Sequence, residues 1–275
     1  MIIIADSGSS KTDWCLLSSK GTTKRLRTAG LNPHVISKAR FSSEIQNSEL
    51  LHWATLAIEK IYFYGAGITN GKQSDNIISW LQPFFNDAEI FAASDLLGAA
   101  RAVFGSKPGI IGILGTGSNS GHFNGTEIIK NIPPLGFVLG DEGSGNAIGK
   151  RLVTSYLRNE LPVEIVKDFN LFYPDHKNLL SNIYLEQQPA RLLASFMPFV
   201  HTHKSALKKM ISDEFIRYFN LLNYYDQNEV ALIGAVAYYF NNILDEVADK
   251  QGKKLIKAMK SPIEDLSLYH QAEIL

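Results

Sequence analysis

Cysteine is almost absent: Cys15 is the single one in 275 residues. A lone thiol excludes an internal disulfide framework and any all-cysteine metal site within one chain, and it points to a reducing, cytoplasmic home. Net charge is missing as well, because 27 basic residues balance 27 acidic ones. That leaves no electrostatic footprint for nucleic acid or an anionic membrane. Long apolar runs are lacking. The N-terminal run stops at Asp6 without a basic n-region, so it reads as a buried first strand and not as a signal peptide. No other stretch approaches the roughly 20 apolar residues of a spanning helix, and no low-complexity segment occurs. These absences favour small-molecule partners, and the length suits two hydrophobic cores.

What is present is a pattern that occurs twice. Met1-Ile2-Ile3-Ile4-Ala5-Asp6 runs into Ser7-Gly8-Ser9-Ser10-Lys11-Thr12, and Gly109-Ile110-Ile111-Gly112-Ile113-Leu114 runs into Gly115-Thr116-Gly117-Ser118-Asn119. In each, an apolar strand enters a turn of small residues and a second strand leaves it. Two such turns across a cleft could hold the phosphates of one nucleotide, which suggests phosphoryl transfer. Neither is a Walker A loop, because the lysine spacing is wrong and a strand follows where that loop needs a helix.

The rest of the chain repeats the same order. Trp14–Leu17 and Thr22–Thr28 read as strands around a hairpin turn at Ser18-Ser19-Lys20-Gly21. A helix is predicted over Arg40–Lys60, a strand at Ile61–Gly65, a helix over 74–85, a strand at Glu89–Ala92 and a helix over Leu96–Phe104. The second half opens again with three strands, from Gly109 to Ile132. It continues with helices between Asp141 and Leu222, a strand at Glu229–Gly234, a helix over Ala235–Lys250 and a terminal helix over 262–275. A hairpin-led order recurring after about 108 residues argues for a duplicated domain.

Several residues could carry chemistry. Small residues at 7 to 10 let backbone amides approach phosphate oxygens, while Lys11 and Thr12 can add side-chain donors. Asp6 is placed to hold Mg²⁺ through water. Gly115, Thr116 and Gly117 offer the same backbone chemistry without charge, although hairpins also use such residues for conformation alone. Asp95 is equally suited to cap the helix after it or to act as a base. Gly140-Asp141-Glu142-Gly143 could accept hydrogen bonds from substrate hydroxyls. Gly234-Ala235, at a strand-to-helix junction, could serve a purine or only helix packing. Gly65-Ala66-Gly67 is only part of a dinucleotide fingerprint, and His201 and His203 lie on different helix faces, which argues against zinc.

Taken together, Asp6–Thr12, Ser94-Asp95, Leu114–Asn119, Leu139-Gly-Asp-Glu-Gly-Ser144 and Leu232-Ile-Gly-Ala-Val236 resemble the N-acetylglucosamine kinase family. That family lies among the BadF/BadG-type ATPases of the actin-like and sugar kinase superfamily. The resemblance spans nearly the whole chain. It implies an α/β fold of two ribonuclease H-like (actin-like ATPase) lobes with an interlobe cleft and a duplicated β-β-β-α-β-α-β-α topology. The lobes would be residues 1–106 and 107–261, the second with a helical insertion, and the helix 262–275 would pack on the first. ATP and Mg²⁺ are the implied cofactors. Asp95 matches the general base on a sugar 6-hydroxyl, and Asn32, Ser118, Asn119 and Asp141 match sugar-contacting positions. Gly136, in Pro133-Pro134-Leu135-Gly136 where Gly-Gly-Trp-Gly is common, lies at a wall of the sugar pocket. Gly8, Ser9, Ser10, Lys11, Thr12, Gly115, Thr116, Gly117, Gly234 and Ala235 match ATP-contacting positions, and Asp6 the Mg²⁺ position. Ser7 and Ser9 stand where the family usually has glycine. A homodimer is plausible on the same ground. The alternative reading is an ATPase or a non-catalytic ATP- and sugar-binding sensor of the same superfamily.

Overall fold

The computed structural model describes residues 1–18, 21–69 and 71–272. Ser19 and Lys20 of the expected first hairpin turn, and residues 273–275 of the expected last helix, lie outside them. The chain divides into two compact units: Met1–Pro108 with Phe123–Ile128 and Ser261–Leu275, and Gly109–His122 with Ile129–Lys260. Among the described residues no helix is long and apolar enough to cross a membrane.

Unit 1 contains β1 (Ile2–Ser7), β2 (Lys11–Ser18), β3 (Gly21–Ala29), α1 (Lys38–Gln46), α2 (Leu50–Trp53), β4 (Lys60–Gly65), α3 (Gly71–Leu81), β5 (Glu89–Ser94) and α4 (Asp95–Phe104). The sheet order is β3-β2-β1-β4-β5. β2 runs antiparallel to β1 and β3, whereas β4 is parallel to β1 and β5. Alternate residues of a strand point to opposite faces. Ile3, Ala5, Trp14 and Phe63 therefore meet Phe41, Ile45 and Ile77 on one side, while Ile2, Ile4, Cys15 and Leu17 form a second core on the other. A central strand covered on both faces needs an unbroken apolar run, and Ile2–Ala5 provides it.

Unit 2 contains β6 (Gly109–Leu114), β7 (Ser118–Phe123), β8 (Ile128–Asn131), α5 (Gly136–Leu139), α6 (Gly145–Leu157), α7 (Val163–Phe172), α8 (Leu179–Leu185), α9 (Pro189–Ala194), α10 (Met197–Thr202), α11 (Lys208–Leu222), β9 (Glu229–Ile233), α12 (Ala235–Tyr239), α13 (Asn241–Lys250) and β10 (Lys254–Met259). Its sheet, β8-β7-β6-β9-β10, has the order of the first when strands are matched in sequence, and β9 is again parallel to both neighbours. Matching order and strand direction support the duplicated α/β topology. α14 (Ile263–Gln271) then packs on α4, β1 and β2 of unit 1, with Ile263 and Leu266 in its second core.

Three expectations need correction. The helix expected over Arg40–Lys60 stops at Gln46, because the Ser48 hydroxyl donates to Ile45 O (3.0 Å) and accepts from the Leu50 amide (3.3 Å), turning the chain. The helix expected over Ala235–Lys250 breaks at Phe240, whose φ of −115° is not helical and whose ring is buried. β10 follows, where the residue pattern had suggested no strand.

Candidate active site

In open α/β sheets, ligands bind beyond the carboxyl ends of parallel strands. In unit 1 those ends are level: Ser7 pairs with Gly65, and Gly65 with Ser94. Asp6 and Asp95 lie along this edge. Ser94 caps α4, its Oγ accepting from the Leu97 amide (3.2 Å), so Asp95 is not the cap. Asp95 Oδ1 accepts from the Leu96 amide at 2.8 Å. Burial pushes the Asp95 carboxyl up to about 6, against the pull of amide hydrogen bonds.

Asp6 goes further, to about 7, through burial and then the negative charges of Asp95 and Asp13. Asp13 lies directly across the β1–β2 pair from Asp6. Burial works against the Asp13 carboxylate as well, but Lys11 and Arg27, each 2.6 Å away, hold it below its usual range. An Asp6 anion crowded by two other carboxylates is relieved by a cation. This fits Mg²⁺, which binds through one or two carboxylates, waters and substrate phosphates. No cluster of three or more acidic, histidine or cysteine ligands occurs among the described residues, so a dedicated all-protein cage is not what this edge provides.

The first turn closes through Gly8 N donating to Lys11 O at 2.9 Å, and the next two amides, of Ser9 and Ser10, have no backbone acceptor among the described residues. Consecutive free amides make an anion nest. The side chains expected to assist them are directed elsewhere. Lys11 pairs with Asp13. Thr12 is fully buried and donates its one hydroxyl proton to Ala29 O (3.0 Å). Ser7 must therefore donate to Thr12 Oγ1 (2.8 Å), and it accepts from the Leu31 amide (3.2 Å). Asn32, only 9% exposed, donates from Nδ2 to Ser9 Oγ (3.4 Å) and accepts at Oδ1 from the His34 amide (2.9 Å). Gly67, at φ 81°, lies so close to Asn32 Oδ1 that a Cβ would collide with it, which gives the Gly65–Gly67 turn a packing role.

Unit 2 builds its turn against a helix start. The Gly145 amide donates to Gly115 O (2.8 Å) and the Asn146 amide to Thr116 O (3.0 Å). These bonds turn the two carbonyls toward α6 and leave the Thr116 and Gly117 amides without a backbone acceptor among the described residues. Asp141, at the unusual φ of 63°, accepts at Oδ1 from the Ser118 amide (3.1 Å) and at Oδ2 from Asn146 Nδ2 (2.8 Å). A Cβ at Gly117 would sit 2.9 Å from Asp141 Oδ1, so the carboxylate needs glycine there. Ser118, Asn119 and Asp141 are thus brought together. Gly136 opens α5, the exposed segment leading into Asp141, which Lys150 steadies by donating to Phe137 O (2.9 Å). Gly234, at φ 122°, packs on the Leu114 carbonyl and Ala235 opens α12, so close strand approach alone already requires this glycine.

Two residues escaped the sequence reading. Asn146 is fully buried, and both Nδ2 protons are used, on Asp141 and on Thr116 O (2.6 Å). Asn131 Nδ2 donates to Asn119 Oδ1 (2.9 Å) and Ser120 O (2.6 Å). Because Asn119 Oδ1 also accepts from the Ser120 amide (2.9 Å), its NH₂ is the end left for a ligand. The available signal was an asparagine at the second position of a helix that starts on an acidic, glycine-rich turn. His201 and His203 are separate, His201 against Tyr239 and Phe240, and His203 3.7 Å from Asp168.

No protein-family profile and no curated sequence matches the chain. Solved structures do. A candidate N-acetylglucosamine kinase from Porphyromonas gingivalis is 34% identical over 100% of both chains, with a TM-score of 0.93. A candidate N-acetylglucosamine kinase from Chromobacterium violaceum is 19% identical over 98% of both, TM-score 0.67. A ROK family glucokinase from Streptomyces griseus, solved with glucose and AMPPNP, is 12% identical over 99% of this chain and 98% of its own, TM-score 0.56. The last two carry the fold alone, which is that of the actin-like ATPases and sugar kinases.

Proposed function

Because the chain belongs to the N-acetylglucosamine kinase family and so is a sugar kinase, we propose that it transfers the γ-phosphoryl group of ATP to the 6-hydroxyl of an amino sugar, N-acetylglucosamine foremost. The observation that carries this is Asp95, a carboxylate at the parallel-strand edge, freed from capping by Ser94 and raised to about 6. A base in that range is still ionised at neutral pH, yet basic enough to draw a hydroxyl proton.

In this reading Asp95 accepts the proton of the sugar 6-hydroxyl as that oxygen bonds to the γ-phosphorus. The bond from γ-phosphorus to the bridging oxygen breaks, ADP leaves with its electron pair, and the proton remains on Asp95. The Ser9, Ser10, Thr116 and Gly117 amides hold phosphate oxygens, and the rate comes mainly from positioning and electrostatics. Bound beside Asp6, Mg²⁺ would neutralise charge on the transferred group. Asp141 accepts from sugar hydroxyls and Asn119 donates to an acceptor on the sugar, an N-acetyl carbonyl or a hydroxyl lone pair. Asn32 is the sugar contact proposed in unit 1. The sequence alternative of a sensor without turnover is opposed by the retention of both Asp6 and Asp95.

The test is ADP release coupled to mass detection of sugar phosphate, with N-acetylglucosamine, glucosamine, N-acetylmannosamine and glucose. Product from an amino sugar that falls by about 10²- to 10⁴-fold in Asp95→Ala is expected. ATP binding without sugar phosphate, or full activity in Asp95→Ala, would overturn the reading.

A further inference from the structure

Ser7 and Ser9 flank Gly8 in the first turn, and both hydroxyls are engaged. The Leu31 amide donates to Ser7 Oγ, Ser7 to Thr12 Oγ1, and Thr12 to Ala29 O, an ordered chain fixed by the single proton on each hydroxyl. It straps both sides of Gly30 to the base of the first turn. Gly30 itself lies on that turn: a Cβ there would come within 2.5 Å of Gly8 O and collide with Ser9 O. One residue farther on, Ser9 Oγ receives Asn32 Nδ2, while the His34 amide and the Gly67 backbone confine the other end of the carboxamide.

We propose that Ser7 and Ser9 are positioning residues that brace Gly30–Asn32 against the first phosphate turn, so that Asn32 is set for the sugar before it arrives and shares one rigid body with the phosphate-binding amides. This rests on the sugar kinase reading and on Asn32 as a sugar contact. A glycine turn has no side chain with which to make the connection. Here the serine hydroxyls trade some freedom of the phosphate turn for order in the sugar segment. Preorganisation of this kind raises affinity by lowering the ordering cost of binding.

The experiment uses the full chain and Ser7→Ala, Ser9→Ala and Ser9→Thr. Steady-state kinetics should show the sugar KM rising about tenfold in both alanine variants, with a smaller change of about threefold or less in the ATP KM, and Ser9→Thr restoring most of the loss. Amide hydrogen exchange without ligands should show the Leu31, Asn32 and His34 amides exchanging at least about tenfold faster in the alanine variants. Sugar KM values within about twofold of wild type in folded alanine variants, or a larger effect on ATP than on sugar, overturn the proposal. So does unchanged exchange at 31–34, a result that stands even if wild-type protein phosphorylates no sugar. That last outcome would refute the kinase reading instead.

Discussion

Replacing Asp6 by asparagine should make unit 1 more stable and the enzyme inactive. Asp6 rises from an ordinary 3.8 to about 7 in the folded protein, by burial and by the charges of Asp95 and Asp13. A carboxyl raised in this way favours the folded state while protonated. Its contribution is complete below about pH 4 and is lost as pH climbs through about 7. At about 1.4 kcal/mol per pH unit the ionised side chain costs at most on the order of 4 kcal/mol at pH 8. Partial solvent access at the strand edge brings this nearer to about 2 kcal/mol. The carboxamide of Asp6→Asn keeps the shape and never ionises, so the midpoint of unit 1 should rise by roughly 8 °C at pH 8, at about 4 °C per kcal/mol for a unit of about 130 residues. The assay is convenient because all three tryptophans, Trp14, Trp53 and Trp80, belong to unit 1. Tryptophan fluorescence during heating thus reports that unit selectively. The gap between Asp6→Asn and wild type should widen between about pH 5 and pH 8 and shrink when millimolar Mg²⁺ with nucleotide is added. A variant no more stable at pH 8, or a gap independent of pH, would refute the electrostatic account of this edge.

The same two carboxyls set the acid limb of catalysis. Because Asp6 titrates near 7 and Asp95 near 6, the kcat/KM of wild type should begin to fall below about pH 7 and fall more steeply, by up to about a hundredfold per pH unit, below about 6, and the two apparent values belong to the pair. A flat pH–rate profile down to about pH 5 would exclude Asp95 as base. Asn146→Ala should lower the stability of unit 2 by about 1–3 kcal/mol, read by far-ultraviolet circular dichroism in urea, because it removes the donor shared by Asp141 and Thr116 O. It should also raise the sugar KM, since Asp141 then loses one of the two donors that orient it.

Much of this was legible from residue patterns. Ile2–Ala5 could only be a central strand, and the small-residue turns after Asp6 and Leu114 marked the strand ends at which each unit's candidate residues lie. At Asp95 the sequence left a helix cap and a base equally open, and only the Ser94 cap seen in the fold decides between them. The misses share a cause. Ser48 ends a helix whose apolar spacing continues past it, so only the hydroxyl's bonds to Ile45 and Leu50 decide the outcome. β10, Lys-Leu-Ile-Lys-Ala-Met, lies at a sheet edge and does not alternate polar with apolar residues, a weak pattern without its neighbour β9. Thr12 and Lys11 looked like phosphate donors because a sequence shows a donor but not the acceptor it already has. Asn146 and Asn131 were invisible for the converse reason: a buried amide has meaning only through partners brought in by the fold.

The return of α14 to unit 1 also carries a consequence for synthesis. Ile263 and Leu266 complete the core made by Ile2, Ile4, Cys15 and Leu17, and Glu264 pairs with Arg25 at 2.6 Å. Residues 109–260 are translated between that sheet and its cover. At roughly 5–20 residues per second, about 150 residues take on the order of 10–30 s. For that interval the part of this apolar face over β1 and β2 lacks its cover, while α4, already made, packs over β4 and β5. Unit 1 is thus begun first and finished last, and its final packing step waits until unit 2 has left the ribosome.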